Sequence, residues 1–183
     1  MLLLARHGQT PSNAERRFQG QAPVGLTALG EEQARTLAAH AAARGDLVAI
    51  VASPLPRARR TADAVAAATG LEVVEEPQLM EHDVGAWTGR LMDDVEREEP
   101  EAYAAYHATD PAFGFPAGET LRGFQARVLG ILRELDAAAA GPTLVVCHRG
   151  VVRALRCHQD PRGLASFMDQ DVANGELAEL GEL

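Results

Sequence analysis

Three short apolar runs in this chain each end abruptly on polar or cationic residues. They cover residues 1–5, 47–52 and 143–147, and all three are bounded by turn-forming or charged residues. Short, nearly continuous apolar runs are typical of strands that are buried on both faces of a sheet. Segments with helical spacing lie between the runs. One of them predicts a helix with Thr27 as its N-cap and Gly45 at its end, and another predicts a helix that begins at Glu119. Strands and helices therefore alternate. This alternation predicts an α/β protein with a mainly parallel sheet and right-handed crossovers.

The residues that follow these runs carry chemistry that suits an oxyanion. Arg6-His7 follows the first run, residues 53–57 with Arg57 follow the second, and His148-Arg149 follows the third. Because the carboxyl ends of parallel strands meet at one edge of a sheet, we expect these side chains to converge there. A guanidinium matches phosphate oxygens, and an imidazole can attack, donate or accept a proton. The first run taken alone is equally compatible with two solvated polar residues at a strand end.

The length and charge of the chain limit how many domains it forms and which partners it binds. The 183 residues suit one domain, so we expect residues 1–183 to form a single domain. The net charge of −9 disfavours nucleic acid and membrane surfaces as partners, because both select basic faces. All seventeen cations are arginine. The absence of lysine excludes Schiff-base chemistry and the lysine of a nucleotide-binding P-loop.

The apolar and cysteine content predicts a cytoplasmic protein. No apolar run approaches the roughly 20 residues of a membrane span. The first run is short and is followed at once by Arg6, unlike a signal peptide. The two cysteines, Cys147 and Cys157, do not form a disulfide framework, which is typical of a reducing compartment.

Two other kinds of site compete with an oxyanion site. His7 and His148 could bind a metal together with Glu81 or Asp83. We disfavour this hypothesis, since neighbouring guanidiniums repel a divalent cation and no familiar ligand spacing occurs. Cys147 could pair with His148 as a nucleophile. Adjacent strand residues point to opposite faces, however, so Cys147 is better interpreted as a small core residue.

An ordered set of short motifs resembles the histidine phosphatase superfamily, which has the phosphoglycerate-mutase-like fold. The match runs from residue 2 to about residue 156, and the whole ordered set is far more specific than one Arg-His-Gly triplet. The motifs are RHGQT at 6–10, Asn13, RFQG at 17–20, Leu26-Thr27-x-x-Gly30, Ser53-Pro54-Leu55-x-Arg57-Ala58, Thr61-Ala62, Glu81-x-Asp83-x-Gly85-x-Trp87-x-Gly89, Pro116-x-Gly118-Glu119 and Val146-x-His148.

The resemblance implies a three-layer α/β/α sandwich and phosphoryl transfer through a phosphohistidine, with no metal or other cofactor. It makes His7 the nucleophile and Glu81 the proton donor and acceptor. Without the motif, a surface carboxylate beside His82 would be the better interpretation of Glu81. The residues that the resemblance implies to hold the phosphate or substrate are Arg6, Asn13, Gln19, Gly20, Arg57 and His148. Arg149 is a further candidate for the same site.

Departures from the pattern leave some features open. Pro23 and Gly25 stand where many relatives have Asp and Pro, and Thr88 replaces a frequent Glu. Arg149 stands where Gly commonly follows the second histidine, so it either adds a cation to the pocket or points outward at a helix start. Aromatic residues of the middle segment could cover the pocket edge, although simple packing is the more frequent role.

We predict a phosphomonoesterase that acts on a small phosphorylated metabolite and releases inorganic phosphate. The segment from Glu81 to Trp87 resembles the phosphatase branch, where water is the acceptor. Phosphoglycerate-mutase-type transfer and a catalytically weak phosphometabolite-binding protein are the alternatives. The sequence leaves both the substrate and the oligomeric state open, including a homodimer.

Overall fold

Four parallel strands and one antiparallel strand form the central sheet. The computed structural model describes residues 1–110 and 113–179. The sheet order is β3-β2-β4-β1-β5, and β5 runs antiparallel to β1. The strands are β1 Leu2–Arg6, β2 Ala49–Ala52, β3 Val73–Glu75, β4 Thr143–Cys147 and β5 Leu177–Glu179. The mainly parallel sheet predicted from the sequence is thus confirmed, whereas β5 was not foreseen.

Helices cover both faces of the sheet. The helices are α1 Pro11–Ala14, α2 Ala28–Arg44, α3 Pro56–Thr69, α4 Met92–Glu98, α5 Pro100–His107, α6 Leu121–Ala138 and α7 Arg149–Gln159. Thr27 caps α2 by accepting a hydrogen bond from the Gly30 N–H, and Gly45 ends it with a φ of 70°. The sequence predicted α6 to begin at Glu119. That prediction was wrong, because the Thr120 side chain caps the helix and leaves Glu119 outside.

The alternation of side chains along β1 separates two hydrophobic cores. Leu2 and Leu4 pack with residues of α6 and α7, whereas Leu3 and Ala5 pack with residues of α2 and α3. Successive strand residues point to opposite faces, so one apolar run contributes to both cores. The architecture is therefore the α/β/α sandwich that the resemblance implied. That residues 1–183 form one domain stays a prediction.

A third apolar cluster is formed mostly by the segment between β3 and α6, together with Phe18. Trp87 is its centre and is completely buried. The buried members are Phe18, Val84, Trp87, Val95 and Phe115. The Trp87 indole N–H donates to a Glu99 carboxylate oxygen at 2.9 Å, which satisfies its buried polar atom. This cluster fixes the segment between β3 and α6, which supplies one wall of the site described below.

The strand register brings the three polar strand ends together. β4 lies between β1 and β2, and the N–H of His7 donates to the Cys147 carbonyl at 3.0 Å. The N–H of Ser53 donates to the Val146 carbonyl at the same distance. The sequences that follow β1, β2 and β4 therefore lie side by side at one edge. No helix in the described ranges is long and apolar enough to cross a membrane.

Candidate active site

His7 follows β1 directly, and both of its ring nitrogens have a partner. Nδ1 lies 2.7 Å from the Gly8 carbonyl oxygen, and Nε2 lies 3.2 Å from Nε of Arg57. Because the carbonyl only accepts and the guanidinium only donates, the ring proton is on Nδ1 and Nε2 presents its lone pair. Burial and the charge of Arg57 hold the pKa of His7 well below its usual value. A neutral imidazole with an available Nε2 can act as a nucleophile.

His148 packs against His7, with ring centroids 5.2 Å apart. Its Nε2 lies 2.8 Å from the Ser53 hydroxyl oxygen, which itself accepts a hydrogen bond from the Leu55 N–H at 3.3 Å. The Ser53 hydroxyl can donate its hydrogen to Nε2, and in that tautomer the proton of a neutral His148 ring lies on Nδ1. That Nδ1 is buried and has no hydrogen-bond partner in the described part of the chain. An oxyanion beside His7 would provide the acceptor.

Arg57 and Arg6 bring two guanidiniums to His7. Arg57 is completely buried and donates to the carbonyl oxygens of Ala22 and Gly20 at 2.9 and 2.7 Å. Arg6 donates to the Val172 carbonyl at 2.6 Å, while its Nε is buried with no partner among the described residues. Burial lowers the pKa of each guanidinium to about 10, so both remain charged near pH 7. This set of charges suits a phosphoryl group.

The Glu81 carboxylate lies against the start of α7. One oxygen accepts the His82 N–H at 2.9 Å, and the other accepts the Gly150 N–H at 3.2 Å. A Cβ atom at position 150 would lie only 2.2 Å from Glu81 Oε1, so only glycine permits this approach. Glu81 thereby reaches the helix that begins immediately after His148. From this position Glu81 lines the same cleft as His7.

Arg127 of α6 supports the chain around Glu81. Its guanidinium donates to the carbonyl oxygens of Gln78 and Met80 at 2.6 and 3.0 Å. It also donates to the Glu119 carboxylate at 2.8 Å, and Glu119 in turn accepts the Asp83 N–H at 2.9 Å. Backbone groups on both sides of Glu81 are therefore bound to one partly buried ion pair. This arrangement restricts the loop that carries the carboxylate.

Asn174 is a site residue that the sequence did not indicate. Its Nδ2 donates to the His7 carbonyl oxygen at 3.0 Å and to Asn13 Oδ1 at 3.2 Å. Asn13 Oδ1 also accepts the Thr10 N–H at 3.1 Å. These two contacts fix the amide of Asn13, which lines the same cleft as His7. The sequence signal at Asn174-Gly175 was only that of a turn.

The remaining residues predicted for the site lie in the wall of a cleft that encloses about 110 Å³. Gln19, Gly20 and Arg149 line the cleft together with Arg6, His7, Asn13 and Glu81. Arg149 therefore faces the pocket, which decides between the two orientations left open by the sequence. Aromatic residues of the middle segment also line it, including Tyr106 and Phe115.

The structure also gives evidence on the two competing interpretations, a metal site and a Cys147–His148 nucleophile pair. Within residues 1–110 and 113–179, no three His, Cys, Asp or Glu side chains are grouped so that they could hold a metal ion. Cys147 is completely buried, and burial raises the pKa of its thiol. The structure confirms Cys147 as a core residue.

Comparison with known proteins gives a family match over nearly the whole chain. The family model of the histidine phosphatase superfamily (branch 1) matches residues 2–181. Phosphoserine phosphatase 1 of Hydrogenobacter thermophilus is 34% identical over 157 residues, which is 85% of this chain and 74% of that protein. A probable phosphoglycerate mutase, GpmB of Cronobacter sakazakii, is 37% identical over 146 residues, or 79% of this chain and 67% of that protein.

A solved structure extends the match to nearly the whole fold. Mycobacterial glucosyl-3-phosphoglycerate phosphatase Rv2419c in complex with VO3 superposes with a TM-score of 0.86 and 30% identity, covering 96% of this chain and 90% of that chain. Some curated mycobacterial relatives are 36% identical over 181 residues, and the chain spans about half their length.

Proposed function

Because the chain belongs to the histidine phosphatase superfamily, we propose that it hydrolyses a small phosphomonoester through a phosphohistidine on His7. The observation that carries this proposal is the pair of hydrogen bonds that fixes the His7 ring. The Gly8 carbonyl holds the proton on Nδ1, and the Arg57 N–H faces the lone pair of Nε2. An entering phosphorus atom would take over that lone pair, and the phosphoryl oxygens would then accept the Arg57 N–H.

In the first step, Nε2 of His7 attacks phosphorus and the bond to the ester oxygen breaks. Glu81 gives its proton to the leaving oxygen. The charge on the three phosphoryl oxygens is stabilised by the N–H groups of Arg6 and Arg57, with Nδ1 of His148 as a further donor. Arg6 Nε and His148 Nδ1, both buried without a partner among the described residues, support this assignment.

In the second step, water attacks phosphorus and the bond to Nε2 breaks. Glu81 accepts the proton from water, and inorganic phosphate leaves. The Asn13 amide assists in binding the phosphoryl oxygens, and Gln19, Gly20 and Arg149 contribute to the substrate side. The cations around His7 supply the electrostatic stabilisation that a metal ion gives elsewhere, so we propose a metal-independent reaction.

Water is our proposed acceptor, although family members with both phosphatase and mutase names are similar to this chain. The phosphoserine phosphatase and the glucosyl-3-phosphoglycerate phosphatase are both named for hydrolysis. The segment from Glu81 to Trp87 also resembles the phosphatase branch. The alternative is mutase-type transfer of the phosphoryl group to a second phosphoglycerate molecule. It predicts that phosphoryl groups move between substrate molecules without release of inorganic phosphate.

Trapping of the phosphoenzyme tests the role of His7. Protein mixed with a radiolabelled phosphomonoester and quenched in base should retain the label, which acid then releases, as expected for a phosphoramidate. His7→Ala should abolish labelling and phosphate release. His40→Ala is the matched control, because His40 is an exposed histidine on α2. Near-normal turnover by His7→Ala would refute the phosphohistidine.

A comparison of leaving groups tests the role of Glu81. An alkyl phosphate expels a strongly basic alkoxide, whereas nitrophenolate leaves with little need of a proton. Glu81→Gln should slow phosphoenzyme formation from an alkyl phosphate by about 10²–10⁴-fold and affect nitrophenyl phosphate far less. Single-turnover rates are required, because Glu81 also acts in the second step. Equal losses on both substrates would assign Glu81 to binding or structure, with Asp83 as the next candidate.

A further inference from the structure

The cleft contains more positive charge than a phosphoryl group at His7 uses. Arg149 and Arg153 both line the cleft and lie four residues apart on one face of α7. Arg153 has a structural role, because it donates to the carbonyl oxygens of Gln170 and Met168 at 2.6 and 3.3 Å. It therefore attaches the segment of residues 168–171 to the helix. Arg149 has no comparable backbone acceptor in the described ranges.

The Arg149 guanidinium is incompletely satisfied. Its Nε is buried and has no hydrogen-bond partner among the residues that the structure describes. Its NH2 group contacts one carboxylate oxygen of Asp171 at 3.0 Å. The Asp171 side chain is 73% exposed, and ion pairs in such surroundings are weak. A buried N–H of a charged group without an acceptor is costly, so an acceptor from a ligand would be favourable.

Arg149 also lies next to the reacting centre. It directly follows His148, so the two Cα atoms are about 3.8 Å apart, and the His148 ring packs against His7. The charge of Arg149 contributes to the lowered pKa of Arg6, after burial itself. The two guanidiniums thus repel one another across the cleft. A dianionic phosphoryl group near Arg6 offsets part of this repulsion, and a second negative charge beside Arg149 would offset more.

We propose that Arg149 binds a carboxylate of the substrate, so that the substrate class is phosphorylated carboxylic acids with the two groups a few bonds apart. This inference rests on the proposed phosphatase function. The Nε and terminal nitrogens of a guanidinium match the two oxygens of a carboxylate. The small cleft favours a compact substrate in which both anions reach their arginines. Asp171 occupies one side of Arg149 and competes with the substrate carboxylate.

Two matched substrates test this subsite. In 3-phosphoglycerate a carboxylate replaces the terminal hydroxymethyl group of glycerol 3-phosphate, and the phosphoester is otherwise the same. We expect kcat/KM to be at least about tenfold higher for 3-phosphoglycerate, as for hydrogen bonds to charged groups. Arg149→Met should reduce kcat/KM for 3-phosphoglycerate at least about tenfold more than for glycerol 3-phosphate. Arg122→Met is the control, since Arg122 is exposed on α6.

A second variant, Asp171→Asn, should increase the preference for the carboxylate substrate. Asp171→Asn removes the competing carboxylate, so KM for 3-phosphoglycerate should fall relative to KM for glycerol 3-phosphate. If the wild-type protein shows no preference, or if Arg149→Met retains it, the carboxylate subsite is refuted. A stronger Arg149-dependent preference for 1,3-propanediol bisphosphate would also refute it, since the second group would then be a phosphate.

Binding separates this inference from the proposed reaction. Calorimetric titration of His7→Ala with both compounds measures the carboxylate preference without turnover. Preferential binding that Arg149→Met abolishes would support the subsite even if no phosphomonoester is hydrolysed, in which case only the proposed function fails. Hydrolysis of both compounds with equal binding would leave the proposed function intact and refute the subsite.

Discussion

A methyl group added at Gly150 should selectively disturb the Glu81 carboxylate. In Gly150→Ala, the new Cβ would lie 2.2 Å from Glu81 Oε1, whereas ordinary contacts of this kind begin near 3.4 Å. The carboxylate must therefore move by about 1 Å. The Phe124 ring is also close, at 3.1 Å from the new atom, so the collision is not easily relieved toward the core.

The magnitude follows from this displacement. A misplacement of about 1 Å costs on the order of 10²-fold in rate, which corresponds to about 2.7 kcal/mol of transition-state stabilisation. We expect phosphoenzyme formation from an alkyl phosphate to slow by about this factor. Nitrophenyl phosphate should be affected much less, because its leaving group needs little proton donation. Gly150→Ala in the Glu81→Gln background should add little further loss, since the group that it displaces has already lost its function.

Rapid-quench single-turnover measurements with both substrates check this prediction. Gly130→Ala is the matched control, because a Cβ at that position on α6 meets no atom within 4 Å. Urea unfolding of each variant separates a local displacement from general destabilisation. Full activity of Gly150→Ala on alkyl phosphates, or equal losses on both substrates, would show that Glu81 does not act from the position beside Gly150.

Three further predictions follow from the site. The pKa values of His7 and His148 are lowered by burial and by Arg57, so the folded protein binds fewer protons than the unfolded chain below about pH 6.5. The free energy of unfolding should therefore decrease as the pH is lowered below this value, by up to about 1.4 kcal/mol per pH unit for each histidine. Urea unfolding between pH 7 and 5 checks this, and His148→Asn should reduce the slope. Exhaustive chelation should leave phosphate release unchanged and vanadate should inhibit it, whereas activity that EDTA removes and zinc or magnesium restores would contradict the metal-independent reaction. Asn174→Leu should weaken vanadate binding and should add little in an Asn13→Ala background, while additive losses would show that Asn174 does not act through Asn13.

The local sequence was sufficient for the elements that position the site. Strand β4 has the predicted bounds, and the caps of α2 at Thr27 and Gly45 were both foreseen. These features depend on a few neighbouring residues: an apolar run that must be buried, a hydroxyl that accepts an N–H, or a glycine that adopts positive φ. The error at α6 was also local, since Thr120 and not Glu119 provides the cap.

The resemblance to the family predicted a site residue that the residues alone did not indicate. It placed Glu81 near His7, although the two are separated by most of the first half of the chain and no periodicity relates them. The structure brings Glu81 into the cleft because position 150 has no side chain to exclude it. The roles of these residues stay predictions until the variants are measured.

The sequence by itself determined which residues follow the three buried strands, and hence which cations and imidazoles can meet at one sheet edge. Only the tertiary structure decided the orientation of Arg149 and the contacts of Asn174 with His7 and Asn13. The physical reason is the range of the interactions. A strand or cap is stabilised by groups a few positions apart, whereas the partners of a cleft side chain come from segments up to 167 residues away that only the packed sheet and helices bring together.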